Sequence, residues 1–459
     1  MRHLLVALSI SLPVATATAQ TLPSPSEVAR VADSLGAAFV ANHRAPSVAI
    51  GILRGKDTIS LKAWGMADLE NEVPATARSV YRIGSVTKQF TAAAVMQLAE
   101  QGKVSLDDSI AAHLAGLPAP WRRVTVRQLL NHTSGIPSYT DVGERWRRRW
   151  GEEMSPDTLL AFTTADSMWF EPGAKWRYDN TGYILLGMLI EKLSGRSWGT
   201  DLAERFAKPL GLSDSRDCQA EPVIARRVRG YENEGKGWIN TPYLAMSQPY
   251  SAGAMCSTVG DLARWNRALH TGKVVSAASY ALMTTPEGAA AQNDFPYGYG
   301  LGRDTIGGQP VITHGGGIHG FISGNVWVPT AELSVTVLTN SGGAPADELL
   351  KQLVRAALGA PLKQRPAEVP LAAAHRGRYV GVYALELPSG PRDFTVAIEG
   401  DHLTGQLAGQ QALPMLHFGN HVFGVEFDPN LRLVFTVEGD KASKLTLHQG
   451  GGTFPGLRQ

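Results

Sequence analysis

Only two cysteines, Cys218 and Cys256, occur in 459 residues. Neither a His-Glu-x-x-His pattern nor a paired Cys-x-x-Cys pattern is present, so no resident metal is expected. No long hydrophobic run interrupts the body of the chain. The densest, Tyr183 to Ile190, falls well short of the roughly 20 residues needed to span a bilayer. No charge sign dominates either: 43 Lys and Arg face 41 Asp and Glu, a net charge of +2. Bulk electrostatics therefore exclude a polybasic nucleic-acid binder and an acidic, disordered chain. Charged residues make up 18%, below the usual value of about 25%. What is there is apolar: 44% of the chain, enough to bury a large core in two or three domains. The 49 glycines and 27 prolines follow no Gly-X-Y period and mark turns.

The first 19 residues read as a signal peptide. Arg2 and His3 give a short polar start, Leu4 to Val14 an apolar stretch, and Ala17-Thr18-Ala19 a small-x-small cleavage site. The mature protein is expected to be exported, periplasmic or secreted, with no membrane insertion after cleavage. In an oxidising compartment, Cys218 and Cys256 are expected to pair as a disulfide, the alternative being two buried thiols.

Ser24, Pro25 and Glu27 supply a capping box and a first-turn proline for a helix reaching His43. Ser47–Leu53 and Thr58–Ala63 read as strands. Helical periodicity then dominates at 85–101, 124–131, 181–194, 198–207 and 259–270. Strand patterns return at Val311–Thr313, Phe321–Val328 and Leu333–Thr339, before a helix over Asp347–Leu358. An α+β domain is expected over 20–362, with one antiparallel sheet built from both ends and a helical lobe beside it. Prolines 361, 366 and 370 mark a linker with a boundary near residue 365. Over 363–459, six short runs predict a small antiparallel barrel or sandwich: Tyr379–Leu385, Phe394–Ile398, Leu403–Leu407, Val422–Phe427, Leu431–Val437 and Leu445–His448.

Several motif matches lack their structural context. Gly195-Arg196-Ser197-Trp198-Gly199 fits a nucleophile elbow, but a helical pattern precedes it, so Ser197 is expected to cap a helix. Gly315 to Gly320 fits a dinucleotide fingerprint, but a strand follows in place of a helix. Gly51 to Lys56 has the wrong spacing for a phosphate loop, and no cofactor is expected. The Arg- and Trp-rich segment Glu144–Trp150 is expected to be a solvated helix face with buried Trp rings.

The informative segment is Ser85-Val86-Thr87-Lys88. On a helix these end residues lie side by side. The apolar continuation through Leu98 would desolvate Lys88, leaving it able to accept a hydroxyl proton. Tyr178-Asp179-Asn180 precedes a second helix, and His314-Gly315-Gly316-Gly317 ends a strand with open backbone N–H groups. Together with Leu129–Pro137, these segments resemble the serine beta-lactamase and penicillin-binding-protein superfamily, specifically its class C-like branch. Its motifs Ser-x-x-Lys, Tyr-x-Asn and (Lys/His)-x-Gly occur in order. The resemblance covers roughly residues 25–360, and the C-terminal segment is similar to lipocalin-like domains appended to some relatives.

The resemblance implies a serine hydrolase forming an acyl-enzyme on Ser85, with Lys88 as its base or as the charge that tunes it. Tyr178 is implied as general base and acid, its phenolate favoured by the neighbouring ammonium. Asn180 is implied to hold Lys88 or the substrate amide. The N–H groups of Ser85 and Gly317 are implied to form an oxyanion hole beside Gly316. His314 stands where relatives often carry Lys. It is expected to bind substrate carboxylates as it gains charge near its ordinary value of about 6.5. His132 and His319 are expected to serve loop hydrogen bonds. The implied partner is a small-molecule or short-peptide acyl substrate: an ester, a D-amino-acid peptide or a beta-lactam. The alternative is a penicillin-binding-like protein that acylates without turnover.

Overall fold

The structure is a computed structural model, and it describes residues 22–233, 237–362, 366–387, 390–410, 412–425, 431–449 and 452–459. The signal segment, the boundary near 365 and the last two residues of the Val422–Phe427 run lie outside the described residues.

Helix α1 (Pro25–Ala41) starts where its sequence signals it. The Ser24 hydroxyl accepts the Glu27 N–H, and the Glu27 carboxylate accepts the Ser24 N–H at 2.8 Å. Its buried residues Val28, Ala32 and Phe39 pack on a seven-stranded sheet. The strands are β1 (Ser47–Arg54), β2 (Asp57–Asp68), β3 (Val73–Pro74), β4 (Gly302–Ile306), β5 (Gln309–Ile318), β6 (Phe321–Val328) and β7 (Leu333–Thr339). Their order is β3-β2-β1-β7-β6-β5-β4. The register Val48↔Thr339 joins β1 to β7, so the two ends of this domain meet at the sheet's centre, as the sequence pattern anticipated. Both strands are buried along nearly their whole length, and the polar residues of β7, Ser334, Thr336 and Thr339, are buried with their hydroxyls hydrogen-bonded.

Two cores flank the sheet. One joins α1 to the last helix of the domain, α5 (Ala346–Leu358), through residues such as Ile50, Val335 and Leu353. The other fills the helical lobe around α2 (Thr87–Glu100), α3 (Asn180–Ser194) and α4 (Val259–His270). In α2, eleven residues from Thr87 to Leu98 are buried, Lys88 among them. Such a helix is buried all round and carries no amphipathic stripe.

β4 was absent from the sequence reading because its Arg303-Asp304-Thr305 stretch is polar and partly exposed, as suits an edge strand. The C-terminal part is a closed antiparallel barrel of eight strands, two more than the six sequence runs. The additions, Leu413–His417 and Gly452–Arg458, contain Pro414 and Pro455, which weaken a strand pattern. Pairing of Tyr383 with Arg458 closes the barrel around Tyr383, Phe423 and Phe435.

The expected disulfide is not formed: Cys218 and Cys256 are buried free thiols. Short strands Arg216–Asp217 and Met255–Ser257 pair with Arg216 opposite Cys256, and the Cys218 N–H reaches the Ala254 carbonyl. The two cysteines are thus diagonal neighbours. Their thiols lie within hydrogen-bonding reach of each other, adjacent but unlinked.

Candidate active site

Three elements bring the sequence-predicted residues together. A single 3-10 turn, Gly84–Val86, leads into α2 and carries Ser85 at its middle. Gly84 has φ +50°, and a Cβ there would press on the Gly317 backbone at 2.9–3.0 Å. At Gly316 a side chain would run into the Ile83 carbonyl, to which the Ser323 hydroxyl of β6 donates at 2.8 Å. The nucleophile turn and the Gly316-Gly317 edge are therefore in backbone contact. β4 pairs with β5 only from Gln309 to Thr313, which leaves the Gly315–Ile318 edge unpaired on the side away from β6.

Lys88 is fully buried, and its ammonium nitrogen meets three acceptors. Asn180 Oδ1 and the Ala252 carbonyl each lie at 2.8 Å, and Ser85 Oγ lies at 3.2 Å. Burial pushes its pKa down to about 7, against the raising effect of Asp179. Asn180 Oδ1 and the carbonyl can only accept, so they fix two N–H groups of the neutral amine. The nitrogen lone pair then faces Ser85. This is the arrangement a base needs to take the hydroxyl proton.

Asn180 opens α3. The N-cap residue Asp179 accepts the Gly182 N–H and the Ser134 hydroxyl, the latter at 3.0 Å. The Asn180 side-chain amide donates to Thr140 Oγ1 at 3.1 Å, and its backbone N–H to Ser138 Oγ at 3.0 Å. Of the two implied roles for Asn180, the free protein shows the hold on Lys88.

Tyr178 corrects the expectation of a phenolate. Burial raises its pKa well above the ordinary value, with only a partial offset from Ser85 beside it. The Lys88 nitrogen lies over the ring, 4.7 Å from its centroid, and makes no hydrogen bond to the oxygen. The phenol is buried without a hydrogen-bond partner among the described residues. It is thus a protonated donor beside the nucleophile.

His314 is also corrected. Burial and the nearby Lys88 push its pKa down to about 3. Its Nδ1 lies 2.6 Å from the Gly315 carbonyl, which can only accept, so Nδ1 carries the proton. Nε2 then accepts the Tyr297 hydroxyl at 2.7 Å. Both ring nitrogens are engaged and the ring is neutral, so it offers no cation to a carboxylate near neutral pH.

Tyr297 escaped sequence reasoning because a lone Tyr between Pro and Gly has no periodicity. Its buried ring contacts His132, Tyr178 and His314. His132 does serve a loop, since its Nδ1 accepts the Asp179 N–H at 3.2 Å. It also lies under Tyr178 at 4.2 Å between ring centroids. His319 Nδ1 bonds the Pro242 carbonyl at 3.2 Å. Ser197 caps the short helix Trp198–Leu202, and its hydroxyl accepts the Thr200 N–H.

The family model described as Beta-lactamase matches residues 32–360. Over 429 residues the chain is 26% identical to penicillin-binding protein 4* of Bacillus subtilis (strain 168), covering 88% of this chain and 93% of that protein. It is 27% identical over 329 residues to the D-aminopeptidase of Brucella canis, covering 70% of this chain but only 61% of that enzyme. In structure it is similar to a D-stereospecific amidohydrolase from Streptomyces sp., with a TM-score of 0.64 and 29% identity. That match covers 74% of this chain and 100% of the other.

Proposed function

Since the chain belongs to the beta-lactamase family and is a serine hydrolase of that family, we propose that it cleaves ester or amide bonds through an acyl-enzyme on Ser85. The observation that carries this reading is the Lys88 amine, held by two pure acceptors with its third position toward Ser85 Oγ. Neutral Lys88 takes the Ser85 proton as Oγ attacks the substrate carbonyl. The N–H groups of Ser85 and Gly317 receive the developing oxyanion beside Gly316. The proton that Lys88 took from Ser85 then passes to the leaving group, which Tyr178, kept protonated by burial beside Ser85, holds by a hydrogen bond. Water then attacks the acyl-enzyme by the reverse relay.

The substrate class we propose is a short amide, peptide or ester without a carboxylate at the leaving-group side. Relatives that include a D-aminopeptidase and a D-stereospecific amidohydrolase support D-amino-acid amides in particular. The neutral, doubly bonded His314 disfavours carboxylate-bearing beta-lactams. We place the reaction outside the cytoplasm, on the signal-peptide pattern of residues 1–19.

The test is covalent labelling by a fluorophosphonate followed by intact mass. Ser85→Ala should abolish labelling and Ser197→Ala should leave it intact. Labelling that survives the first change overturns the assignment. An activated ester should give a transient Ser85 adduct. A persistent one would instead make the protein a penicillin-binding-like acceptor without turnover.

A further inference from the structure

The segment Glu144–Trp150 remains outside the chemistry described so far. Its helix spans only Glu144–Arg147, and Trp146 and Trp150 are half-buried, where the sequence predicted buried rings. Ring contacts connect them into a row. Tyr139 meets Trp146 edge-on at 5.6 Å, Trp146 meets Trp150 at 5.7 Å, and Trp150 meets His319 at 4.2 Å. At one end, the Tyr139 N–H donates to Thr181 Oγ1, beside Asn180. At the other, His319 lies two residues beyond Gly317. The row therefore runs from beside Asn180 to the residue that follows the end of β5.

It is also rigidly mounted. Gln248, with no solvent exposure, accepts the Trp146 indole N–H at 2.7 Å. Its own amide donates to the carbonyls of Arg149, Trp150 and Glu152 at 2.7–3.1 Å. Tyr243, 53% exposed, stands beside Gly151. Burial lowers the His319 pKa, so this ring too is neutral near pH ~7.

The polarity of the reaction decides which part of a substrate meets this row. Tyr178 and His314 lie together, 6.4 Å apart between ring centroids, toward the start of the open β5 edge. A leaving group held by the Tyr178 hydroxyl occupies that end. The acyl portion then extends past Gly317 toward His319 and Trp150. Resting on the acyl-enzyme reading above, we propose that Trp150, His319 and Tyr243 form a subsite for an aromatic side chain on the acyl part of the substrate. Neutral rings, half-exposed and fixed from behind, are suited to an uncharged planar group.

Two p-nitrophenyl esters with the same leaving group isolate this contact: the acetate and the phenylacetate. The wild-type kcat/KM should favour phenylacetate. Trp150→Ala should lower that preference about tenfold or more with little change for acetate, and exposed Tyr243→Ala should lower it by about threefold. Trp150→Phe should retain most of the preference. If the ratio is unmoved in Trp150→Ala and Tyr243→Ala, or both esters fall together in each, the subsite is overturned. Should Trp150→Ala fail to fold, the Tyr243→Ala ratio decides. Fluorophosphonate labelling of Ser85 is run in parallel: its loss in the wild type refutes the acyl-enzyme reading, whereas intact labelling with an unmoved ratio refutes the subsite alone.

Discussion

Three acceptors surround the Lys88 nitrogen, and only Ser85 Oγ among them can also donate. Below its pKa of about 7 the ammonium occupies all three and cannot take the Ser85 proton. Activity on a neutral ester should therefore rise with pH through about 7. The sign follows from the shift: burial has lowered the Lys88 pKa, so the reactive neutral form gains as pH increases. His314 titrates far lower, at about 3, so it contributes nothing to that limb. Hence the ratio of cephalosporin to ester kcat/KM should stay flat between about pH 5.5 and about pH 8, which bracket the ordinary His value. A ratio that climbs as pH falls would mean that His314 does acquire charge. The ester profile and the ratio come from one set of rate measurements. Lys88 was legible in the sequence because an apolar helix surrounds it. The neutral state of His314 was not, since it depends on burial and on the Lys88 charge that the fold brings near it.

The open edge of β5 matters at the scale of elements, because it must approach the nucleophile turn without side chains between them. Gly315 and Gly316 differ in this respect. A Cβ on Gly315 would meet only the Ser323 carbonyl oxygen at 3.7 Å, an ordinary contact, whereas one on Gly316 would collide with the Ile83 carbonyl. Gly316→Ala should therefore cost about 1–3 kcal/mol in denaturant unfolding as the strand is forced away. Moving the Gly317 N–H off the oxyanion should also slow fluorophosphonate labelling by about 100-fold. Gly315→Ala should behave nearly as wild type in both measurements. Equal losses for the two variants would contradict the close backbone approach. Element boundaries were readable where caps and periodicity agree, as at Ser24 and across β6 and β7. They were not readable at β4 or at the proline-containing barrel strands, where pairing across the sheet overrides a weak local pattern.

At the scale of the whole molecule, two sets of contacts keep to themselves. Each barrel strand pairs with other barrel strands, and the cluster around Tyr383, Phe423 and Phe435 contains no residue before Leu371. The two cores flanking the seven-stranded sheet contain none after Leu358. The family match ends at residue 360, and the Streptomyces amidohydrolase is covered completely by only part of this chain. On these observations we propose the division at 20–362 and 363–459 that the prolines suggested. A chain ending at Leu362 should then fold cooperatively, since all seven strands, α5 and every residue around Lys88 precede that point. A self-contained core is the condition for such independence. The expected outcome is one sharp thermal transition and Ser85 labelling at a rate within about threefold of the full chain, because among the described residues no barrel residue enters the acylation geometry. A truncated chain that melts broadly or precipitates would show that the barrel shields apolar surface the domain cannot cover alone. One that folds but labels slowly would instead give the barrel a part in shaping the cleft.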